Sequence, residues 1–498
     1  MTGKDITNMR GTIEFLKKEG ELLSAGKEVD PVCEVTGVAK AFEDGPAVLF
    51  ENIKGYPENR ILANVFGKRS RIAKIFGVDD PKEFKFKVLD AIKNPIEPEE
   101  VSDAPCQEVV ITEDIDVLKT LPVTQSIEND PGRIIGGGNI LLSGPGMGRC
   151  VSHKRTFFRG KDWASLAVNP TGHFEHFMFE KRKENGKLPI TINIGTPPAV
   201  MAMAAAGLSQ LAIPAGTDEI AIAGGLQGEP VKVCRAKTVD AEAIAEAEWV
   251  IEGYIDTTQV VWESDEAEKT GDMWQPFFIE WHGYQGWARR TYKFQATAIT
   301  HRKENPIFYA SLASVLESHT RSGAFVEATV YDLCNKMCPG LVVDTNVLDC
   351  MHGIAGVVIQ VKKRRRRDEG VQKNLILANL VGSTALQMVI VVDEDVNIYS
   401  AEDVLWAIAT RIDPKKDVLR FGAEDIKGPA PVAEPEVAFG GFGGKIGIDA
   451  TVPVDKKRPF SRGKHPAVDL KKWFDEEEIN KATAMQNEYA RFLAENRY

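Results

Sequence analysis

No apolar run in this chain approaches the roughly 20 residues needed to cross a bilayer; Val200-Met-Ala-Met-Ala-Ala-Ala-Gly207 stops far short. The opening Met1-Thr-Gly-Lys-Asp-Ile lacks the apolar core of a secretory signal, so a cytoplasmic location is expected. Cysteine is scarce and odd in number, seven in 498 residues, which argues against a disulfide framework and predicts reduced, buried thiols. Cys334-Asn-Lys-Met-Cys338 has a spacing that suits a metal, yet no second Cys or His pair lies near it to complete a closed zinc site. Positive charge is in deficit: 61 Lys and Arg against 72 Asp and Glu give a net charge of −11, which argues against a broad nucleic-acid surface. The local exception, Lys362-Lys-Arg-Arg-Arg-Arg367, follows the apolar run Gly356-Val-Val-Ile-Gln-Val361. It reads as a solvated or subunit-contacting loop at the end of a strand. A clamp for an anionic group such as a coenzyme A phosphate is the sharper alternative. Internal repeats are absent as well.

What is present is the composition of an ordinary globular protein, 43% hydrophobic and 27% charged. Its length exceeds one compact core and predicts two to four domains. Helix and strand signals alternate over the first hundred residues, with helices over 5–19 and 82–93 and strands over 47–53 and 60–66. The Pro- and acid-rich stretch 94–105 marks a linker. From 106 to 301, short apolar strands such as 188–195, 231–234 and 249–253 stand between glycines and prolines, with helix expected over 174–184 and 240–248. That pattern predicts a mostly β barrel with long, functional loops. Alternation of helix and strand then returns: strands over 307–314, 354–361 and 387–393, helices over 325–336, 370–381 and 400–410. Ser400-Ala-Glu-Asp403 approximates a capping box. Residues 427–436 read as a connector, and 476–497 as a terminal helix that docks on a neighbour or another subunit. The expected fold class is α+β multidomain: an N-terminal α/β domain over 1–105, a central β-barrel domain over 106–310, a C-terminal α/β domain over 311–465 and a helical tail over 466–498.

Four polar residues between Cys150 and Tyr284 carry the chemistry. Arg155 ends Cys150-Val-Ser-His-Lys-Arg155, His173 follows Asn169-Pro-Thr-Gly172, and Glu219 lies in Pro214-Ala-Gly-Thr-Asp-Glu219-Ile-Ala-Ile. Glu280 stands in Gln275-Pro-Phe-Phe-Ile-Glu280-Trp-His-Gly-Tyr284. A carboxylate behind four apolar neighbours and before an aromatic is placed to be desolvated, which raises its pKa towards that of a working proton donor. A guanidinium is planar and permanently charged, and grips a carboxylate with two parallel hydrogen bonds. Imidazole and carboxylate, completed by phosphate oxygens, suit a divalent metal. The residues alone leave open a surface arginine beside Lys154, a structural histidine and a solvent-facing glutamate. Trp274, Trp281 and Trp287 form either an aromatic wall for a flat substrate or part of the barrel core.

Together with Gly443-Gly-Lys445-Ile-Gly-Ile-Asp449-Ala-Thr451, Pro189-Ile-Thr-Ile-Asn-Ile-Gly195 and Val391-Val-Asp-Glu-Asp-Val396, these residues resemble the UbiD family of (de)carboxylases, which use prenylated FMN. The resemblance runs along almost the whole chain, and its longer blocks look nearest to the branch acting on hydroxybenzoic acids such as protocatechuate and gallate. It implies that the central domain is a split β-barrel that binds the flavin and that the C-terminal domain makes the oligomer contacts, as a homodimer or homohexamer. It further implies Arg155 against flavin and substrate carboxylate, Glu280 as catalytic acid, and Ser152, Gly172, His173 and Lys445 around the cofactor, with Lys445 balancing its phosphate. His173 and Glu219 match two ligands of a divalent metal, manganese, with a potassium ion nearby. The third family ligand, an asparagine five residues before the arginine, is replaced here by Cys150. The second glutamate of the family's acid–arginine–acid network is replaced by Gln275, which leaves Asp272, Glu263 or another residue to supply that charge. Leu316-Glu317-Ser318-His319 matches a stretch bordering the substrate. Glu317, Ser318 and His282 are therefore expected to contact it, and His319 to hydrogen-bond a phenolic hydroxyl or move its proton.

The reaction so implied is a carboxy-lyase reaction: reversible, non-oxidative decarboxylation of a small, hydroxylated aromatic carboxylic acid. A flavin prenyltransferase is the implied supplier of cofactor, with neither nucleic acid nor membrane as partner. The alternatives are a carboxylase or an aryl-coenzyme A decarboxylase on the same scaffold, or, given Cys150 and Gln275, a flavin-binding subunit without catalysis.

Overall fold

Two long strands, Trp249–Trp262 and Arg290–His301, form the spine of a nine-stranded sheet in the computed structural model. From one edge to the other the order is Ile134–Ile135, Thr156–Phe158, Trp163–Leu166, Arg290–His301, Trp249–Trp262, Lys187–Ile194, Asn139–Gly144 and Gly148–His153, every pair antiparallel. Val109–Ile111 adds to Arg290–His301 from outside this path. Gly148–His153 lies at one end and Thr156–Phe158 next to the other, yet only Lys154 and Arg155 separate them in sequence. Three Cα steps of about 3.8 Å cover at most about 11 Å. The sheet must therefore curl until its ends approach, a half-barrel whose seam is crossed by Lys154 and Arg155. Residues 5–144, 146–168, 172–206, 212–214, 216–275, 277–311, 316–383, 386–421, 444–456, 460–463 and 465–495 are described. Side chains of Ser318 and of 486–495 are outside that description, as is the expected connector 427–436.

The N-terminal sheet orders Leu22–Ala25, Ala47–Phe50, Arg60–Ala63 and Ile307–Ala310. Its fourth strand comes from beyond the barrel, so the chain returns to its first layer before entering the C-terminal region. The 22-residue helix Leu316–Met337 follows and is longer than the expected 325–336. The C-terminal sheet runs Val342–Asn346, Gly356–Val361, Met388–Asp393, Lys445–Ala450, Val418–Phe421. Its three middle strands are parallel and buried on both faces. Val357, Ile359, Val389 and Val391 pack with Leu375 and Ile376 of the helix Val371–Gly382. Val358, Ile390 and Val392 pack on the other face with Val404 and Ala407 of Ala401–Arg411. This two-sided burial explains the continuous apolar runs.

Two local expectations change. Residues 240–248 hold a strand, Glu242–Ile244, paired with Lys232–Arg235, because tertiary pairing overrides the helix propensity of Ala and Glu. At Ser400 the hydroxyl accepts the Asp403 N–H at 3.2 Å, but the Asp403 carboxylate turns to Asn397 N at 2.6 Å, so the capping box is half formed. Residues 1–451 and 452–498 form separate compact units. The second carries the helix Glu476–Glu495.

Candidate active site

Arg155 stands in the barrel seam with its guanidinium divided between two carboxylates. Nε and one terminal nitrogen reach Glu263 at 2.7 and 2.8 Å, a bidentate pair, and the other terminal nitrogen donates to Glu280. Glu263 follows the long strand Trp249–Trp262 directly, and its side chain is fully buried. It also accepts the backbone N–H of Arg289 at 2.8 Å. Gln275 instead donates to Asp272 at 2.9 Å, away from the arginine. The acid–arginine–acid network is thus intact, with Glu263 supplying the charge.

Glu280 is carried by a loop folded back on itself: Glu280 N donates to Tyr284 O, Gly283 N to Glu280 O, and Gly286 N to Phe278 O, all within 2.9 Å. Gly286 has a defined task there, because a Cβ at that position would lie 2.8 Å from the Glu280 Cγ. Phe277 and Phe278 lie beneath the guanidinium at 5.2 and 5.9 Å and pack on Phe157. Desolvation alone was expected to raise the Glu280 pKa. Burial does push it up, but Arg155 and then Arg289, 3.9 Å away, outweigh burial and hold it below the ordinary carboxylate value. Glu280 therefore rests as an anion. Two arginines and two carboxylates, Arg155, Arg289, Glu263 and Glu280, make a cluster of zero net charge.

A second polar pair is built by two helix starts. His173 opens the helix His173–Lys183 and Glu219 opens Glu219–Gln227. His173 Nδ1 is 2.7 Å from Glu219 Oε1, and Glu219 Oε2 accepts Val151 N at 2.7 Å. That hydrogen bond to Glu219 raises the histidine pKa. Cys150 is buried; desolvation first, then the Glu219 charge, pushes its thiol well up, so it stays protonated. A protonated thiol is a poor metal ligand, so His173 and Glu219 are the two ready donors here. Among the described residues no group of three His, Cys, Asp or Glu forms a ready metal cage.

Several polar groups here await a ligand. The helix opened by His173 has no side-chain cap at Gly172, whose φ is 107°, so its first N–H groups are open to an anion. Ser152 Oγ is buried without a hydrogen-bond partner among the described residues. Lys154, whose amine lies 5.4 Å over the Phe174 ring, adds positive charge that burial lowers in pKa. An imidazole, a carboxylate, a cation and an uncapped helix start suit a metal-bridged phosphate.

His319, Glu317, His282 and Lys445 have different places. His319 Nε2 lies 3.0 Å from Trp281 O and 3.0 Å from His352 Nδ1, next to the Glu280 loop. His282 accepts Tyr284 N at 3.2 Å and stacks between Trp281 and Tyr284. Glu317, expected against substrate, is buried and accepts Phe66 N at 3.1 Å and the Tyr309 hydroxyl, joining the N-terminal layer to the helix Leu316–Met337. Lys445, expected at the phosphate, is buried in the C-terminal sheet, donating to Leu380 O at 2.7 Å and to Ser383 O. It caps the C-terminal end of the helix Val371–Gly382, where a cation is favoured. Nor are the tryptophans barrel core: Trp274 is 53% exposed and packs on Trp287 at 5.4 Å, while Phe277 and Phe278 fill the interior. In the basic run, Lys363 is buried against Thr451 and Glu369, and Lys362 pairs with Glu394. Arg364 to Arg367 are exposed, and Lys362 is half-exposed.

An arginine shared by two carboxylates in a half-barrel seam, beside an uncapped helix start, is the architecture of a flavin-dependent carboxy-lyase. The chain belongs to the UbiD family. The family's N-terminal domain matches residues 13–88, the 3-octaprenyl-4-hydroxybenzoate carboxy-lyase Rift-related domain matches 99–315, and the C-terminal domain matches 319–450. The chain is 31% identical over 458 residues to gallate decarboxylase of Lactiplantibacillus plantarum, covering 87% of this chain and 92% of that protein. It is 30% identical over 454 residues to anhydromevalonate phosphate decarboxylase of Methanosarcina mazei, covering 91% and 98%. An evolved dimeric form of the UbiD-class enzyme HmfF from Pelotomaculum thermopropionicum, in complex with prFMN, superposes with a TM-score of 0.80 at 28% identity, over 95% of this chain and 99% of that one.

Proposed function

We propose that this protein decarboxylates a hydroxylated aromatic carboxylic acid with prenylated FMN and a divalent metal. The observation that carries the reading is the Glu263–Arg155–Glu280 network in the seam. The prFMN-bound relative and the gallate decarboxylase support the cofactor and the substrate class. When bound, the cofactor supplies the electron sink that allows carbon dioxide to leave.

The protein's part is orientation and proton handling. Arg155 holds the substrate carboxylate through the terminal nitrogen now given to Glu280. Glu280, so released, is left with Arg289 and with burial that favours its neutral form. It takes up a proton and later delivers it to the ring carbon that loses the carboxylate. Ser152, Gly172 and His173 would border the cofactor, and His173 and Glu219 would hold the metal. Manganese fits a nitrogen–oxygen donor pair. Trp274, Trp281 and Trp287 flank the Glu280 loop as apolar surface for a flat ring. We propose reversibility on general grounds: the same groups serve both directions.

The test is co-expression with a flavin prenyltransferase, mass analysis of the released cofactor, and assay of gallate, protocatechuate and an aliphatic phosphorylated acid. Prenylated FMN with turnover of a hydroxybenzoate is the expected result; turnover of the aliphatic acid alone overturns the substrate class. For the metal, His173→Ala is expected to lose bound manganese on dialysis and Cys150→Ala to keep it, read by elemental analysis. Loss in both variants would make Cys150 a ligand after all.

A further inference from the structure

Three imidazoles gather around the segment after Glu280, and one of them, His352, belongs to a different part of the fold. It follows the 3-10 turn Asp349–Met351, between the C-terminal strands Val342–Asn346 and Gly356–Val361, in a left-handed conformation with φ 51°. The next residue, Gly353, also has positive φ, and a Cβ there would lie 2.7 Å from His319 O and 2.8 Å from its Cα. The loop is therefore seated on the start of the helix Leu316–Met337 at backbone contact. His352 and His319 meet edge to face, ring centres 4.4 Å apart.

The hydrogen-bond chemistry of this contact has one consistent solution. Trp281 O only accepts, so the His319 nitrogen 3.0 Å from it, Nε2, carries the proton. His352 Nδ1 lies 3.0 Å from that same nitrogen and must present its lone pair. His352 is then neutral with its proton on Nε2, and His319 keeps Nδ1 as its one acceptor. Burial lowers the His319 pKa to about 4, against the raising effect of Trp281 O. A neutral imidazole with a free acceptor is what a phenolic hydroxyl requires.

We propose that His352 is a positioning residue: its lone pair shares the His319 Nε2–H with Trp281 O, which holds the His319 ring in place and ties the C-terminal sheet to the loop bearing Glu280. The proposal rests on the aromatic, hydroxylated substrate inferred above. Among the described residues, Glu43 and Lys40 of the N-terminal layer act on His319, while His282 of the loop faces both His352 and Glu280.

The test compares His352→Phe, which keeps the ring shape without an acceptor, with His352→Asn, whose amide oxygen takes the place of Nδ1. Histidine-labelled protein has eight imidazoles, and nitrogen–proton correlation spectra, with His319→Gln to assign the signal, read this proton without turnover. The His319 Nε2–H signal is expected to shift in the Phe variant, where one of its two acceptors is gone, and to return towards the wild-type position with Asn. In parallel the Phe variant is expected to lose about tenfold in kcat, with a shifted acidic limb in the pH profile, and Asn to recover both. An unchanged His319 Nε2–H signal in the Phe variant overturns the proposal, as does a shifted signal with unaltered kcat and pH profile. A wild type that turns over no aromatic acid defeats the substrate reading instead, and the spectra still decide the His352 contact.

Discussion

Glu280→Gln is expected to keep the flavin and to lose turnover by about 10²–10⁴-fold in kcat, the usual contribution of a positioned proton donor. The amide fills the same space beside Gly286 and still accepts from Arg155, so folding and cofactor retention should stay near those of the wild type. It cannot take or give the proton. A second consequence separates this role from mere packing. In the resting state the two arginines and two carboxylates of the seam cancel, and Arg155 and Arg289 hold Glu280 below the ordinary carboxylate range. A substrate carboxylate adds a negative charge and competes for the Arg155 nitrogen that now serves Glu280. Burial then dominates and Glu280 binds a proton. Wild-type binding of an unreactive aromatic acid should therefore take up one proton near neutral pH, and its Kd should rise as pH rises, by up to about tenfold per unit. In Glu280→Gln the proton uptake should vanish and the Kd become flat with pH. Calorimetry in buffers of different ionisation heat measures both. Proton uptake that persists in the variant would assign it to another group.

The architecture was legible because its causes are local. Apolar runs of five or six residues flanked by Gly and Pro became strands, and the β-rich middle between two α/β regions became the half-barrel. Arg155, His173, Glu219 and Glu280 were legible as rare polar residues in apolar or Gly-rich settings. What the sequence could not place were groups paired by the curl of the sheet. Glu263 follows Trp249–Trp262, 108 residues from Arg155, and nothing in its neighbours distinguishes it from Asp272. Arg289 and His352 carry no motif; they matter because a folded loop and a sheet connection bring them to Glu280 and His319. Lys445 misled for a related reason: a lysine in a Gly-rich block suggests phosphate, but helix-end carbonyls are an equally good home for a buried amine. The direction of the Glu280 pKa followed the same rule, since its apolar sequence neighbours reveal desolvation and conceal the two arginines that outweigh it.

Glu263→Ala is expected to be the most destabilising single change in the seam. Arg155 has two of its three donor nitrogens on this carboxylate, and the Glu263 side chain is wholly buried while that of Arg155 is only 10% exposed. Removing one member of such a pair leaves a buried charge without its partner, which costs about 3–5 kcal/mol. Spread over a barrel of this size, that lowers Tm by on the order of 10 °C. The variant also frees the Arg289 backbone N–H, now satisfied at 2.8 Å, and loosens the end of the Glu280 loop. Glu263→Gln should show the smaller thermal loss, because the amide oxygen still accepts, yet activity should fall with it: one of the two parallel hydrogen bonds becomes a donor facing a donor. Glu in place of Gln275 provides the control. Gln275 donates to Asp272, so a carboxylate there would face Asp272 rather than Arg155. Glu263→Gln combined with Gln275→Glu should therefore be no more active than Glu263→Gln alone. Recovery in the double variant would mean that position 275 can still reach the arginine and that the loop is not held as described. Without recovery, Glu263 is the acid that keeps Arg155 oriented, holding two of its three donor nitrogens and leaving one terminal nitrogen for Glu280 and then for the substrate.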